Sequence, residues 1–169
     1  MHNDVQTAIT DQINMEFTAA YRYLGMAAYF HAESLEGFAH WMEVQHDEEM
    51  QHGMRLFRYL LDRGGSVDLA PIPKPEVTYD SVISAFEAAL GQEQENTASI
   101  NDLYALAGEH RDFATKSHLQ WFLDEQVEEE KNIGDLLNLL NRTDGDQSAL
   151  LYLNDKLAAR AVASDAKAQ

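Results

Sequence analysis

Glu48-Glu49-Met50-Gln51-His52 is the stretch on which the reading of this chain turns. It lies in a long run whose stripe residues recur in alternating steps of four and three: Phe38, Met42, Gln45, Glu49, His52, Leu56, Tyr59. That spacing marks the face a helix turns toward other helices. Glu49 and His52 therefore stand where apolar core residues belong. A carboxylate and an imidazole placed there must be paired, protonated or bound to a cation, because burying a bare charge is costly. A lone Glu-x-x-His pair carries little weight, since the spacing is common on acidic helices. The chain holds a second one, Glu43 and His46, one residue off the stripe. One residue is about 100° of helix rotation, so that pair is expected to be solvated.

Three further segments repeat the pattern. A helix over about 4–32 carries the stripe Ile9, Ile13, Glu16, Ala20, Tyr23, Ala27, Phe30, with Glu16 its one charged member. The Glu49 helix is expected over 35–63, with Ser34 as its N-cap and Gly64-Gly65 as its stop. A third helix over 80–108 shows Val82, Phe86, Ala89, Glu93, Asn96, Ile100, Leu103, Ala107. A fourth, over 112–141 behind the capping residue Asp112, shows Leu119, Phe122, Gln126, Glu129, Ile133, Leu136, Leu140. A short amphipathic helix over 147–162 follows Asp146. Residues 64–78 contain all three prolines, Pro71, Pro73 and Pro75, which favour an extended path. Fifteen residues at ~3.1 Å each cover the ~42 Å of a 28-residue helix. The expected fold is therefore all-α: one domain, a four-helix bundle with a long crossover between helices two and three and a short fifth helix.

The polar interruptions repeat internally. A shift of 77 positions carries Glu16 onto Glu93, Glu48 onto Glu125, Glu49 onto Gln126 and His52 onto Glu129. Four helices that each break their apolar stripe near mid-length bring these groups to one level of the bundle. Such a cluster suits a pair of divalent ions, and oxygen ligands with one imidazole and no sulfur fit iron(II) or manganese and also accept zinc. A Glu from each of two helices with a Glu-x-x-His from each of the others is the general di-iron carboxylate arrangement. Here the fourth part is Gln126-x-x-Glu129. One ion would meet Glu16, Glu49 and His52; the other would meet Glu49, Glu93 and Glu129, with weak or no help from Gln126. Glu49 would bridge.

Composition narrows the partners. Twelve Lys and Arg against 29 Asp and Glu give a formal net charge of −17, which argues against nucleic acid and favours cations. Cysteine is absent, excluding disulfides and thiolate ligands. No basic region followed by an apolar run opens the chain, and no apolar run is long enough to span a membrane. A cytoplasmic protein is the expectation.

Glu16 with Tyr23 seven residues on, Glu48-Glu49-Met50-Gln51-His52, Glu93 and Glu125-Gln126-Val127-Glu128-Glu129 resemble the motifs of bacterial non-haem ferritins, over nearly the whole chain. The resemblance implies a ferroxidase that oxidises iron(II) with O2 or H2O2 and stores iron(III) as a mineral in a 24-subunit homo-oligomeric shell. It places Glu48, Glu125, Glu128 and Glu129 at a third iron site, and makes Tyr23, beside the di-iron centre, a one-electron donor. Tyr23, Glu49 and Glu129 are the residues expected to carry the oxidation. Trp121 is a second candidate donor, though packing is the simpler role. The haem-binding relatives carry Glu-x-x-His on the fourth helix too, so no haem is expected, despite Met50. In eukaryotic relatives two acids line three-fold pores; the matching positions here are Lys116 and Leu119, against such a pathway. Two other readings stay open: a di-metal redox enzyme of peroxidase or catalase type without mineral storage, and an assembly whose acid cluster holds zinc.

Overall fold

The periodic stripes form four long helices, α1 (Asn3–Ala32), α2 (Glu36–Asp62), α3 (Val82–Glu109) and α4 (Phe113–Asn141), followed by α5 (Gln147–Leu157). The computed structural model describes residues 1–159, and among the described residues there is no strand. The expected reach of the fifth helix to 162 falls partly outside them. α1 packs along α2, α3 along α4, and α1 also meets α3, while α5 lies against α2.

Local chemistry sets the helix ends. The Asp112 carboxylate accepts from the Thr115 amide, and Asp146 accepts from those of Ser148 and Ala149. Ser81 and Ser84 cap one another reciprocally, which starts α3 at Val82 and not near 80. Ser34, the expected cap of α2, does not cap it. It takes a left-handed φ of 58° in the turn after α1, and the N-cap position falls to Leu35, whose side chain offers no acceptor. The acceptor comes from α5 instead. Asn154 Oδ1 receives the Gly37 amide at 2.9 Å and the Phe38 amide at 3.2 Å. This needs backbones in direct contact: a Cβ on Gly37 would lie 1.7 Å from the Asn154 carbonyl oxygen.

The crossover runs back along α1. Asn14 holds it through two hydrogen bonds, donating to the Asp68 carbonyl (3.0 Å) and accepting from the Ala70 amide (2.9 Å). Further on, Pro75 and Glu76 pass so close to Gly25 that a Cβ there would lie 2.5 Å from the Glu76 carbonyl oxygen. Tyr79 then meets Tyr29 edge-on, ring centres 5.3 Å apart. α3 consequently starts beside the end of α1, so α2 and α3 run one way and α1 and α4 the other.

The apolar core is divided in two. One cluster holds Tyr23, Phe30, Phe38, Met42, Phe86, Ile133 and Leu140, among others, and α5 packs on it through Leu150, Leu153 and Leu157. The other holds Ile9, Ile13, Leu56, Leu60, Ile100, Leu119 and Phe122. Between them each of the four long helices turns polar. The buried stripe also drifts from the strict four-three rhythm near helix ends. Leu60 is buried where Tyr59 was expected, and Leu137 takes the place of Leu136. A straight helix of 3.6 residues per turn slips ~20° per heptad against a 3.5-residue pattern, enough to pass the core position to the next residue.

Asn154→Ala should destabilise the protein by about 1 kcal/mol, the usual cost of a lost N-cap. Gly37→Ala should cost more, since backbone must move. Chemical denaturation checks both, and an unchanged midpoint for Gly37→Ala would show that the α2–α5 contact is not close.

Candidate metal centre

The polar layer is built from helix positions that the stripes aim inward. Glu16, Glu49 and Glu93 are 0% exposed, and His52, Gln126 and Glu129 are 4%, 3% and 3% exposed. Glu16, Glu49 and His52 converge: each offers a ligand atom, and these lie within 4.8 Å of one another. His52 Nδ1 stands 3.6 Å from Glu49 Oε1, too far for a good hydrogen bond. Among the described residues no amide, hydroxyl or ring N–H bonds either Glu49 oxygen, and His52 Nδ1 makes no hydrogen bond; the one group near enough to share a proton with Glu49 is the Glu16 carboxyl. In a close-packed interior such groups call for a proton or a cation.

The other acids are held by neighbours. Glu16 accepts from Gln12 Nε2 (2.8 Å) and Asn96 Nδ2 (3.1 Å), and Gln12 is fixed in turn by the Ser99 hydroxyl at 2.5 Å. Glu93 accepts the Tyr23 hydroxyl at 2.5 Å and the Gln126 amide at 3.3 Å. Glu129 accepts from Gln45 Nε2 at 2.8 Å. The second expected set, Glu49, Glu93 and Glu129, thus faces the first without converging to the same degree. Gln126 acts toward it as a donor, bonding the Glu93 carboxylate and carbonyl and the Thr97 hydroxyl. Gln12 and Ser99 did not stand out in the sequence. Gln12 lies one turn before Glu16, and that i, i+4 spacing was the available signal.

Electrostatics follow from this crowding. Burial first, then the charges of Glu93 and Glu16, push the Glu49 carboxyl well above the usual carboxylate range. Burial raises Glu93 to about 6, against the lowering effect of its bonds from Tyr23 and Gln126. Burial, then the charges of Glu93, Glu49 and Glu129, push the Tyr23 hydroxyl up, so it stays protonated and donates. Burial lowers His52, keeping the imidazole neutral and able to ligate at neutral pH. Its ring is seated edge-on against Trp121 and Phe122, at 5.3 and 6.1 Å. Arg55 lies over the Trp121 ring at 4.1 Å.

Glu48 and Glu125 are half-buried and Glu128 is exposed, each next to a member of the buried layer but outside it. Glu125 is close enough for its charge to act on both His52 and Arg55. The second Glu-x-x-His pair, Glu43 and His46, is not solvated as a unit. Glu43 is exposed and meets His31 at 2.9 Å, whereas His46 is half-buried and donates to the Ala20 carbonyl at 2.9 Å. Leu119 is fully buried within the chain, and Lys116 lies over the Tyr104 ring. A cleft of about 240 Å³ between α1 and α3 is walled in part by Asn14, Thr18, Gln92 and Asn96, the last of which bonds Glu16.

A ferritin-like domain model of the ferritin family matches residues 6–143. The bacterial non-heme ferritin of Staphylococcus haemolyticus (strain JCSC1435) is 42% identical over 161 residues, 95% of this chain and 96% of the relative. That of Staphylococcus aureus (strain USA300) is 42% identical over 149 residues, 88% and 89% of the two chains. Among solved structures, the open-pore ferritin of the archaeon Archaeoglobus fulgidus superimposes with a TM-score of 0.94 at 39% identity, covering 95% of this chain and 99% of that one. A humanized archaeal ferritin gives 0.95 at 38% identity, covering 97% and 99%.

Because Glu49 and Glu93 are raised in the folded chain, their share of stability is fully present below the unfolded carboxylate value and is lost as pH rises through about 6 and above. Thermal unfolding of metal-free protein should show this loss setting in above the ordinary carboxylate range, passing through about pH 6 for Glu93 and continuing above it for Glu49. A divalent cation should restore stability most at the upper end, releasing protons measurable in weak buffer. Binding without proton release near pH 6 would contradict the raised carboxyls.

Proposed function

We propose that this chain, which belongs to the ferritin family, oxidises iron(II) at its buried carboxylate layer and stores the iron(III) as a mineral inside a shell of 24 copies. The observation that carries the reading is Glu49: a fully buried carboxylate without a donor, facing Glu16 and His52 on one side and the charges of Glu93 and Glu129 on the other. Two iron(II) ions are the substrates that such a layer can neutralise, with Glu49 between them. Glu16 and His52 take one ion; Glu93 and Glu129, with Gln126 beside them, take the other. The relatives named as bacterial non-heme ferritins support iron as the metal.

Each iron(II) gives up one electron. Two electrons and two protons convert O2 to H2O2, or H2O2 to two molecules of water. Iron binding displaces protons from Glu49 and Glu93, and these are available to the oxidant. Tyr23, whose hydroxyl bonds Glu93, would supply one further electron, its proton passing to that carboxylate; with the two from the bound pair and one from a third iron(II), four electrons and four protons reduce O2 to two molecules of water. Glu48, Glu125 and Glu128, with Glu129, take a third iron as oxidised ions leave. The two donor sets are unequal, His52 standing against Glu129 with little help from Gln126, and this suits a pair in which one ion is held more loosely and can leave. No helix among the described residues is long and apolar enough to cross a membrane, which agrees with a cytoplasmic location.

Glu49→Ala and His52→Ala should each slow aerobic oxidation of added iron(II) at least tenfold, since losing even a supporting partner of a metal ligand costs ~10–100-fold. Stopped-flow absorbance measures this, and wild-type rates in both variants would remove the site assignment. Sizing the native protein tests storage separately. A monomer or dimer could not enclose a mineral.

A further inference from the structure

We propose a second metal site, separate from the buried centre, in which His2, Asp4 and His110 bind a divalent transition ion such as zinc at the end of the bundle where α1 begins and α3 ends. α1 and α3 run in opposite directions, so the N-cap residue of α1, His2, meets the C-cap residue of α3, His110. Each of the three residues offers a ligand atom within 4.8 Å of the others. Asp4 Oδ2 is the hub, 3.4 Å from His2 Nδ1 and 3.6 Å from His110 Nε2.

These separations are informative. Both are longer than the ~2.7–3.2 Å of a good N–H···O hydrogen bond. They are close to the separation of two ligands on one tetrahedral ion: bonds of ~2.0–2.1 Å put neighbouring ligand atoms about 3.3–3.4 Å apart. The two imidazoles stack, centroids 3.8 Å apart and planes 14° from parallel, so they already approach as a pair; ligating a shared ion through their in-plane lone pairs requires one ring to swing out of the stack, which the exposure of His2 permits. The one hydrogen bond an ion would displace is weak, the 3.3 Å contact of the Asp4 amide with His2 Nδ1. Two nitrogens and one carboxylate oxygen form a donor set suited to zinc and other late first-row ions, with a fourth position left for water.

The electrostatics of the two helix ends are compatible with a cation. The C-terminal end of α3 carries partial negative charge and favours it; the N-terminal end of α1 opposes it, and the Asp4 carboxylate offsets that opposition. The side chains are 53% (His2), 64% (Asp4) and 26% (His110) exposed, so an ion reaches them directly from solvent. Asp4 lies 12 residues before Glu16, ~18 Å along α1, which makes the site independent of the buried layer and of the proposed ferroxidase function.

The test is calorimetric titration of zinc(II) into metal-free protein, comparing wild type with His110→Ala, Asp4→Asn and His2→Gln. All three variants keep the buried centre and any zinc it holds. Each should lose one zinc equivalent per chain, or bind that equivalent at least tenfold more weakly, while iron(II) oxidation stays at the wild-type rate. Cobalt(II) gives an independent readout: the strong visible absorption of four-coordinate cobalt should fall in the variants. Unchanged zinc stoichiometry and affinity in all three, with an unchanged cobalt spectrum, would overturn the proposal. Should one substitution disturb folding, seen by circular dichroism, the other two decide.

Discussion

The structure is organised around a carboxylate that has no hydrogen-bond donor of its own. Glu49 is fully buried, its two oxygens receive no amide, hydroxyl or ring N–H, and three other glutamates act on it. An interior with low effective dielectric tolerates this only when a proton or a cation supplies the missing positive charge. Around it, the protein satisfies its other acids unevenly. Glu16, Glu93 and Glu129 each have a fixed donor from a neighbouring helix, which orients them and leaves Glu49 as the group most in need of a metal.

A polar layer of this kind weakens a bundle at its middle, and the rest of the chain offsets the weakness. Apolar clusters close the bundle above and below the layer, one rich in aromatic rings and the other in branched aliphatics. The helices must also reach the same level in register. The α1–α2 and α3–α4 hairpins do this locally, and the crossover does it between them by returning the chain along α1 before α3 begins. Asn14 and Gly25 hold that path in place, one by hydrogen bonds and one by having no side chain. Without that return, the 77-residue repeat in the sequence would not superimpose its acids in space.

Much of this was legible before any coordinates, because buried charge is conspicuous in an apolar stripe. Glu16, Glu49, His52, Glu93, Gln126 and Glu129 each interrupted a helical pattern at mid-length, and each is buried in one layer. The signal failed wherever it depended on partners distant in sequence. Ser34 reads as a cap from its neighbours, yet the acceptor for α2 is Asn154, over a hundred residues away. Gln12, one turn from Glu16, carries no mark in the sequence, yet it ties Glu16 and Asn96 together across two helices. Tyr59 and Leu136 lost core positions to Leu60 and Leu137 because the pattern was counted at 3.5 residues per turn and a straight helix runs at 3.6.

What the sequence determined by itself was therefore the helix count, the connection order and the identity of the buried acids, all set by periodicity and by the cost of burying charge. Only the tertiary structure decided which acids converge on a common point and which are drawn aside by a neighbour's amide or hydroxyl. It alone also brought His2 to His110, which no local pattern connects. Periodicity reports the face on which a side chain lies. The distance between two side chains on different helices depends on crossing geometry and rotamers, and the linear order of residues does not contain it.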